Sequence, residues 1–208
     1  MPSSPIDDLR SYYETEARLG RRTAPKGFRT EWRAAFVALL IAEHRRSVLD
    51  FGAGPGLDAG PFHDAGMHYV GLDLAHGNAR IARAADAVVV QGSMSAPPFR
   101  PASFGAGWSM STLMHVPESE VEDTVHAMVG VLEPEAPLLI GLWGGDRRDE
   151  IDVEQIAGER RLFSLRPFDR NRELVAVGGT VERVERLEVG PEGWEYHGFL
   201  LRAHPSHG

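Results

Sequence analysis

The chain of 208 residues contains no cysteine, which excludes a disulfide framework, a thiolate metal site and a cysteine nucleophile. It has one lysine, Lys26. A Schiff-base mechanism would have to rest on that residue, which sits in a polar loop with nothing to suggest the burial that lowers a lysine pKa. The preference for arginine is read as coding bias, not as function. No apolar run approaches the roughly 20 residues that span a bilayer. The start, Met1-Pro2-Ser3-Ser4-Pro5-Ile6-Asp7-Asp8, lacks the basic and apolar regions of a signal peptide, so the cytoplasm is the expected location. An excess of positive charge is also missing. The net charge of −8 argues against nucleic acid or an anionic membrane as partner.

What is present is an ordinary globular composition, 42% hydrophobic and 25% charged, in a chain long enough for one domain with a real core. In order, the pattern Ile6, Leu9, Tyr12 or Tyr13, Ala17 predicts an amphipathic helix over 6–19. A polar loop with Pro25 and Gly27 follows, then a helix over 29–43 with Trp32, Phe36, Leu39 and Leu40 on one face. The cluster Arg21, Arg22, Lys26, Arg29 and Arg33 is read as solvated surface, with anion binding as the alternative. Strands are expected at 47–51, 68–73, 87–91, 106–111 and 138–143. Helices are expected at 57–65 and 77–84, and from Pro117 along the stripe Val121, Val125, Met128, Val129, Leu132. Toward the end the pattern changes to a helix over 168–177, then strands at 180–189 and 194–203 around Gly190-Pro191-Glu192-Gly193. Alternating strands and helices imply a doubly wound parallel sheet, and the final hairpin implies an antiparallel last strand.

The chemistry concentrates in Ser47-Val48-Leu49-Asp50-Phe51-Gly52-Ala53-Gly54-Pro55-Gly56, a short buried strand that breaks into a loop with glycine at every second position. Such a loop permits positive φ angles and close approach of a ligand, with backbone N–H groups expected to face something polar. A glycine loop alone is shared by several ligand classes. The dinucleotide pattern requires its third glycine at position 57, which is Leu57, and a P-loop requires Gly-Lys-Ser/Thr, which is absent. A carboxylate at Asp50 would repel a pyrophosphate but suits a ligand with a cationic part. Asp73 closes the second strand, placed to accept hydrogen bonds from ribose hydroxyls.

In these residues the chain resembles the class I S-adenosylmethionine-dependent methyltransferases that act on small molecules. Val48 to Gly56 resembles the first motif of that family, Val70-Gly71-Leu72-Asp73-Leu74 the second, Gly92-Ser93-Met94 to Phe104 the third-strand segment, and Leu113-Met114-His115-Val116 the segment after the fourth strand. The resemblance implies a Rossmann-like α/β fold with a seven-stranded, mostly parallel sheet. It implies one methyltransferase domain over 1–208: an N-terminal helical cap (1–45), a cofactor-binding core (46–145), and a C-terminal helix with antiparallel hairpin (146–208). The implied cofactor is S-adenosylmethionine, leaving as S-adenosylhomocysteine, contacted by Asp50, Gly52, Ala53, Gly54, Gly56, Asp73, Leu74, Ser93, Met94, Ser109 and Met110. His115 is the expected general base, since an imidazole suits proton abstraction at neutral pH. Tyr12, Tyr13 and Trp143 are expected on the acceptor side, with residues 1–30 and 144–165. No metal is expected. Ser93 departs from the family by standing where an acid usually meets the adenine, and Gly105 departs by replacing an Asp. The partners implied are a small-molecule acceptor and at most a second copy of the chain. Two rivals are a nicotinamide-dependent oxidoreductase on the same fold and a non-catalytic cofactor-binding relative.

Overall fold

The computed structural model describes residues 4–22, 27–153, 156, 158–189 and 194–204. Lys26, the expected turn at 190–193 and the histidine-bearing tail at 205–208 lie outside them. The chain opens with helices α1 (Pro5–Leu19) and α2 (Gly27–Ala42). Ser4 caps α1 by accepting from the Asp7 N–H, Pro5 occupies its first turn, and Gly20 closes it in the left-handed region. There follow β1 (Ser47–Phe51), α3 (Ala59–Asp64), β2 (His68–Asp73), α4 (His76–Ala84), β3 (Val89–Gln91), β4 (Gly107–Met110), α5 (Val121–Gly130) and β5 (Pro137–Gly144). The chain ends with β6 (Arg147–Asp152), β7 (Arg161–Leu165), α6 (Phe168–Ala176), β8 (Gly179–Glu188) and β9 (Glu195–Ala203).

Seven strands form one sheet in the order β3-β2-β1-β4-β5-β9-β8. The strands from β3 to β5 run parallel, with β1 beside β2 in the register Val48↔Tyr69 and Asp50↔Gly71, and β9 lies antiparallel to both β5 and β8. The Rossmann-like expectation therefore holds, including its antiparallel last strand. Helices cover both faces. Trp32, Phe36 and Leu40 of α2, Phe62 of α3 and Ala79 and Ala82 of α4 pack against one. Val121, Val125 and Met128 of α5 and Leu174 and Val175 of α6 pack against the other. Covered on both faces, the parallel strands bury nearly every residue, which explains why they read as continuous apolar runs.

The structure corrects several boundaries. The helix expected from Leu57 begins at Ala59, because Gly54 and Gly56 hold positive φ and carry a turn as far as Asp58. Strand β3 starts at Val89, after Asp86 takes a positive φ, and β4 stops at Met110, because Ser111 takes φ 60°. Pro117 does not start the long helix; two 3-10 turns, 113–115 and 118–120, precede α5 at Val121. The segment 144–165, where the sequence predicts no regular element, holds β6 and β7, which pair with each other in a separate two-stranded sheet. Their residues alternate too weakly to announce a strand: Arg147 to Asp152 is mostly charged. No helix among the described residues is long and apolar enough to cross a membrane.

Candidate functional site

The order of the sheet reverses between β1 and β4, and a crevice is expected outside the carboxyl ends of the strands at that point. A cavity of ≈ 260 Å³ lies there. Gly52 after β1, Leu72, Asp73 and Leu74 at the end of β2, and Gly92, Ser93, Met94 and Ser95 after β3 form its floor. Thr112, His115, Val116, Pro117 and Glu120 form one wall, and Ser4, Pro5, Ile6 and Leu9 of α1 roof it. A smaller space of ≈ 50 Å³ adjoins it, sharing Leu9, Gly52, Asp73, Leu74, Thr112 and His115 and adding Tyr13, Arg22 and Ser111.

The glycine loop is shaped by its conformation. Gly52 has φ 79°, and a Cβ there would overlap the side chain of Thr112. Thr112 is itself fixed by donating to the Phe51 carbonyl at 3.1 Å. Gly56 serves packing instead, since a Cβ on it would stand 2.9 Å from Ala87 and 3.2 Å from Ala82. The loop amides do not face outward as expected. Those of Gly52 and Ala53 donate to the Leu72 carbonyl, that of Gly56 to the Ala53 carbonyl, and that of Gly54 to Asp73. These four are spent holding the turn, so they offer no cradle to a phosphate.

Asp73 is the organising carboxylate. It is buried and accepts from the Gly54 N–H at 2.8 Å, the Ala75 N–H at 2.9 Å and Asn78 Nδ2 at 3.1 Å. Burial raises its pKa, and those three hydrogen bonds oppose the rise. Asp50 is placed differently from the expectation that it meets the ligand. It stands one step further back along the sheet, opposite Gly71, accepts from the Tyr69 hydroxyl at 2.7 Å, and lines neither space. Its burial, with Asp58 nearby, pushes its pKa up to about 8. Ser109 and Met110 are also in the interior: Ser109 donates to the Phe51 carbonyl at 3.3 Å, and Met110 packs with Trp108 and Tyr196. Ala53 is turned toward Gly71. Ser93 and Met94 lie in the cavity as expected, Ser93 Oγ accepting from the Ser95 N–H at 3.2 Å.

His115 lies buried on the shared wall of the two spaces. Its Nδ1 is 2.8 Å from the Leu162 carbonyl of β7 and its Nε2 is 2.7 Å from the Tyr13 hydroxyl of α1. A carbonyl only accepts, so Nδ1 carries the proton and Nε2 accepts from Tyr13. Burial, reinforced by the Arg161 charge, lowers its pKa to about 3, so the ring is neutral. Tyr12 is buried outside the cavities, under the Arg161 guanidinium at 4.2 Å. Trp143 stands in an aromatic row with Trp194 and Tyr196 rather than in the cavity lining.

The basic cluster read as solvated surface is dispersed. Arg33 is buried and, with Arg29, donates to Asp58, which also accepts from Trp108 Nε1 at 3.1 Å. Arg22 lies instead beside Gly54, pairs with Glu16 at 3.3 Å and stands 5.2 Å over the Tyr13 ring. Thr112, Glu120, Ser111, Leu162 and Asp58 escaped the sequence reading. Only Asp58 carried a signal there, as an acid at the cap of the helix after the loop. Among the described residues no group of three acidic or histidine side chains is arranged to hold a metal.

Residues 49–140 match the family model described as a methyltransferase domain. A search of curated protein sequences finds no match. Solved structures with this architecture include the Burkholderia thailandensis 1,6-didemethyltoxoflavin-N1-methyltransferase, bound to 1,6-didemethyltoxoflavin and S-adenosylhomocysteine. It is 21% identical, with a TM-score of 0.72 over 98% of this chain and 92% of its own. An S-adenosylmethionine-dependent methyltransferase from Methanosarcina mazei is 16% identical, with a TM-score of 0.66 over 76% of this chain and 92% of its own. DesVI of Streptomyces venezuelae is 21% identical, with a TM-score of 0.60 over 84% and 90%.

Proposed function

We propose that this chain is a class I S-adenosylmethionine-dependent methyltransferase that methylates a small molecule held beside α1 at the carboxyl edge of the sheet, a reading the matched methyltransferase-domain model and the shared architecture support. The observation that carries this reading is the placement of Asp73 and the Gly52 turn on one cavity of ≈ 260 Å³ at the carboxyl edge of the sheet. The residues present fit the cofactor. The larger space suits an adenosine, with Asp73 for the ribose hydroxyls and Leu74, Ser93 and Met94 around the base. Glu120 supplies on the same cavity the carboxylate that Ser93 lacks. The smaller space suits the amino-acid end, with the Arg22 guanidinium near Gly54 to meet a carboxylate. Four loop amides turned inward speak against a nicotinamide dinucleotide, whose pyrophosphate needs them.

The bound cofactor supplies an activated methyl group, so the chain's own task is to orient the acceptor and remove its proton. Tyr13 and His115 stand together on the smaller space and are the groups for that removal. Asp50 and Gly56 act at one remove, Asp50 through Tyr69 and Gly56 by letting the loop approach α4. The acceptor is a small molecule, as the Burkholderia relative's name states for its own. The net charge of −8 supports action apart from nucleic acid, and we take the chain to work in the cytoplasm as a monomer or homodimer.

The test is direct. Calorimetric titration of the full chain with S-adenosylhomocysteine should show binding that Asp73→Asn weakens, and NADH should not bind. Transfer of labelled methyl from the cofactor to at least one member of a panel of phenols, amines and acids should follow. Absence of S-adenosylhomocysteine binding would overturn the reading.

A further inference from the structure

A closed circuit of contacts lies behind the smaller space. The Arg161 guanidinium of β7 stands 4.2 Å from the centroids of both Tyr12 and Phe163. Tyr12 meets Tyr13 edge-on at 5.2 Å, and Phe163 meets His115 edge-on at 4.9 Å. Tyr13 and His115 close the circuit through their 2.7 Å hydrogen bond. Arg161 is buried, pairs with Asp152 of β6 at 3.2 Å, and lines neither space at the sheet edge.

We propose that Arg161 is a positioning residue that locks Tyr13 and His115 into a proton relay for the methyl acceptor. The inference rests on the methyltransferase reading and deepens it. The geometry gives each member one role. The Leu162 carbonyl, next to Arg161 on β7, holds the His115 proton on Nδ1 and leaves Nε2 as an acceptor. Tyr13 reaches the smaller space and donates to Nε2, so an acceptor O–H placed there meets Tyr13 first. The transfer balances in two linked moves. The acceptor proton passes to the Tyr13 oxygen as the Tyr13 proton passes to His115 Nε2. The acceptor oxygen keeps the electron pair that takes the methyl group, and the imidazolium keeps its Nδ1–H on the Leu162 carbonyl. Loss of that Nε2 proton to water restores the starting state.

The relay works only if His115 is neutral when the acceptor arrives. The charged and titratable groups facing it are Tyr13 on α1, Arg22 after it, and Arg161 and Asp152 on the hairpin. Asp152 favours the charged ring, whereas Arg161 and Arg22 oppose it, as does burial. Pairing with Arg161 ties down the Asp152 charge. Arg161 acts here through the shape of its planar guanidinium, which bridges two rings at once, and a lysine ammonium cannot stack on both faces in the same way.

The experiment uses the full chain with 15N-labelled histidine, reading ring nitrogen shifts from pH 4.5 to 8, with His115 assigned by its loss in His115→Gln. The expected result is the Nδ1–H tautomer, neutral throughout. Arg161→Gln should bring the His115 midpoint up into that pH window, and Arg161→Lys should leave the midpoint below it while broadening or shifting the Nε2 signal. Tyr13→Phe, which removes one hydroxyl, should shift the Nε2 signal alone and keep the reading available if Arg161→Gln does not fold. A wild-type His115 that titrates near 6.5, an Nε2–H tautomer, or a Tyr13→Phe spectrum identical to wild type would overturn the proposal. S-adenosylhomocysteine titration of the same samples separates the two readings, since absent binding sinks the cofactor assignment and leaves the tautomer result standing.

Discussion

Asp58 should be among the costliest single side chains to remove, although it touches neither space at the sheet edge. Its carboxylate accepts from Arg29 at 3.1 Å, from Arg33, and from Trp108 Nε1 at 3.1 Å, and its side chain is only 6% exposed. Arg33 is 9% exposed, so in Asp58→Ala a buried guanidinium loses its counter-charge and a fully buried indole N–H loses its acceptor. Breaking a buried ion pair from one side costs about 3–5 kcal/mol, most of it the stranded charge. At about 2–4 °C per kcal/mol for a chain of this size, the melting temperature should fall by roughly 6–20 °C. Asp58→Asn keeps one acceptor oxygen and should lose less. The control is Glu133→Ala, whose side chain is 47% exposed against Arg45 and whose loss should stay within about 1 kcal/mol. Urea denaturation followed by far-UV circular dichroism measures all three variants. An Asp58→Ala variant no less stable than Glu133→Ala would refute the reasoning. Because Asp58 ties α2 to the turn after the glycine loop, S-adenosylhomocysteine affinity should drop with it.

Four further outcomes follow from the site. Gly52→Ala places a side chain at φ 79° and over Thr112, so the backbone alone should cost about 1–2 kcal/mol; adding Thr112→Ala should recover the steric part only, as a double-mutant cycle by denaturation would show. Asp73→Asn removes the carboxylate we assign to the ribose, and calorimetry should find S-adenosylhomocysteine affinity roughly 10- to 100-fold weaker, the equivalent of about 1.5–3 kcal/mol. Arg22→Met should weaken S-adenosylhomocysteine by about tenfold and leave adenosine binding unchanged, which competition titration resolves. Asp50→Asn tests a sign. The folded pKa of Asp50 is raised to about 8, above its unfolded value, so its ionisation opposes folding as pH rises from about 4 through 8. Relative to wild type, Asp50→Asn should therefore gain stability between pH 4.5 and 8 in denaturant titrations, and a loss over that window would exclude the assignment.

The floor of the site was legible because it is written in backbone constraints. A strand buried on both faces has to be apolar, and a turn at positive φ has to be glycine. An acid that accepts three hydrogen bonds at the end of β2 has few substitutes. Each requirement leaves a mark at a fixed place in the sequence, and together they gave β1, β2, Gly52 and Asp73. Spacing does not say what a side chain meets. Asp50 and Asp73 close neighbouring strands of one sheet, yet Asp50 turns to Tyr69 and Asp73 to the cavity. Asp50 stands opposite Gly71, two residues short of Asp73, so the two carboxylates share a face and differ in how far along the sheet they reach, which is set by pairing with a partner far away in sequence.

The acceptor side left no such marks, and the reason is physical. Its contacts join residues 102 and 47 positions apart, as in Tyr13 to His115 and His115 to Leu162, and one of these partners is a backbone carbonyl that any residue would supply. Segment 144–165 read as featureless because β6 and β7 pair only with each other and carry charge on the exposed edge. Exposure belongs to β6 alone, since β7 buries Arg161, Leu162, Ser164 and Leu165. The hairpin nevertheless fixes the tautomer of His115, so a change at Arg161 that displaces the Leu162 carbonyl would reach the chemistry through His115. Proton handling should thus be separable from cofactor binding in this chain: Arg161 variants should alter turnover at nearly constant S-adenosylhomocysteine affinity by calorimetry, since Arg161 lines neither space, whereas variants in the β1 turn should lower both together.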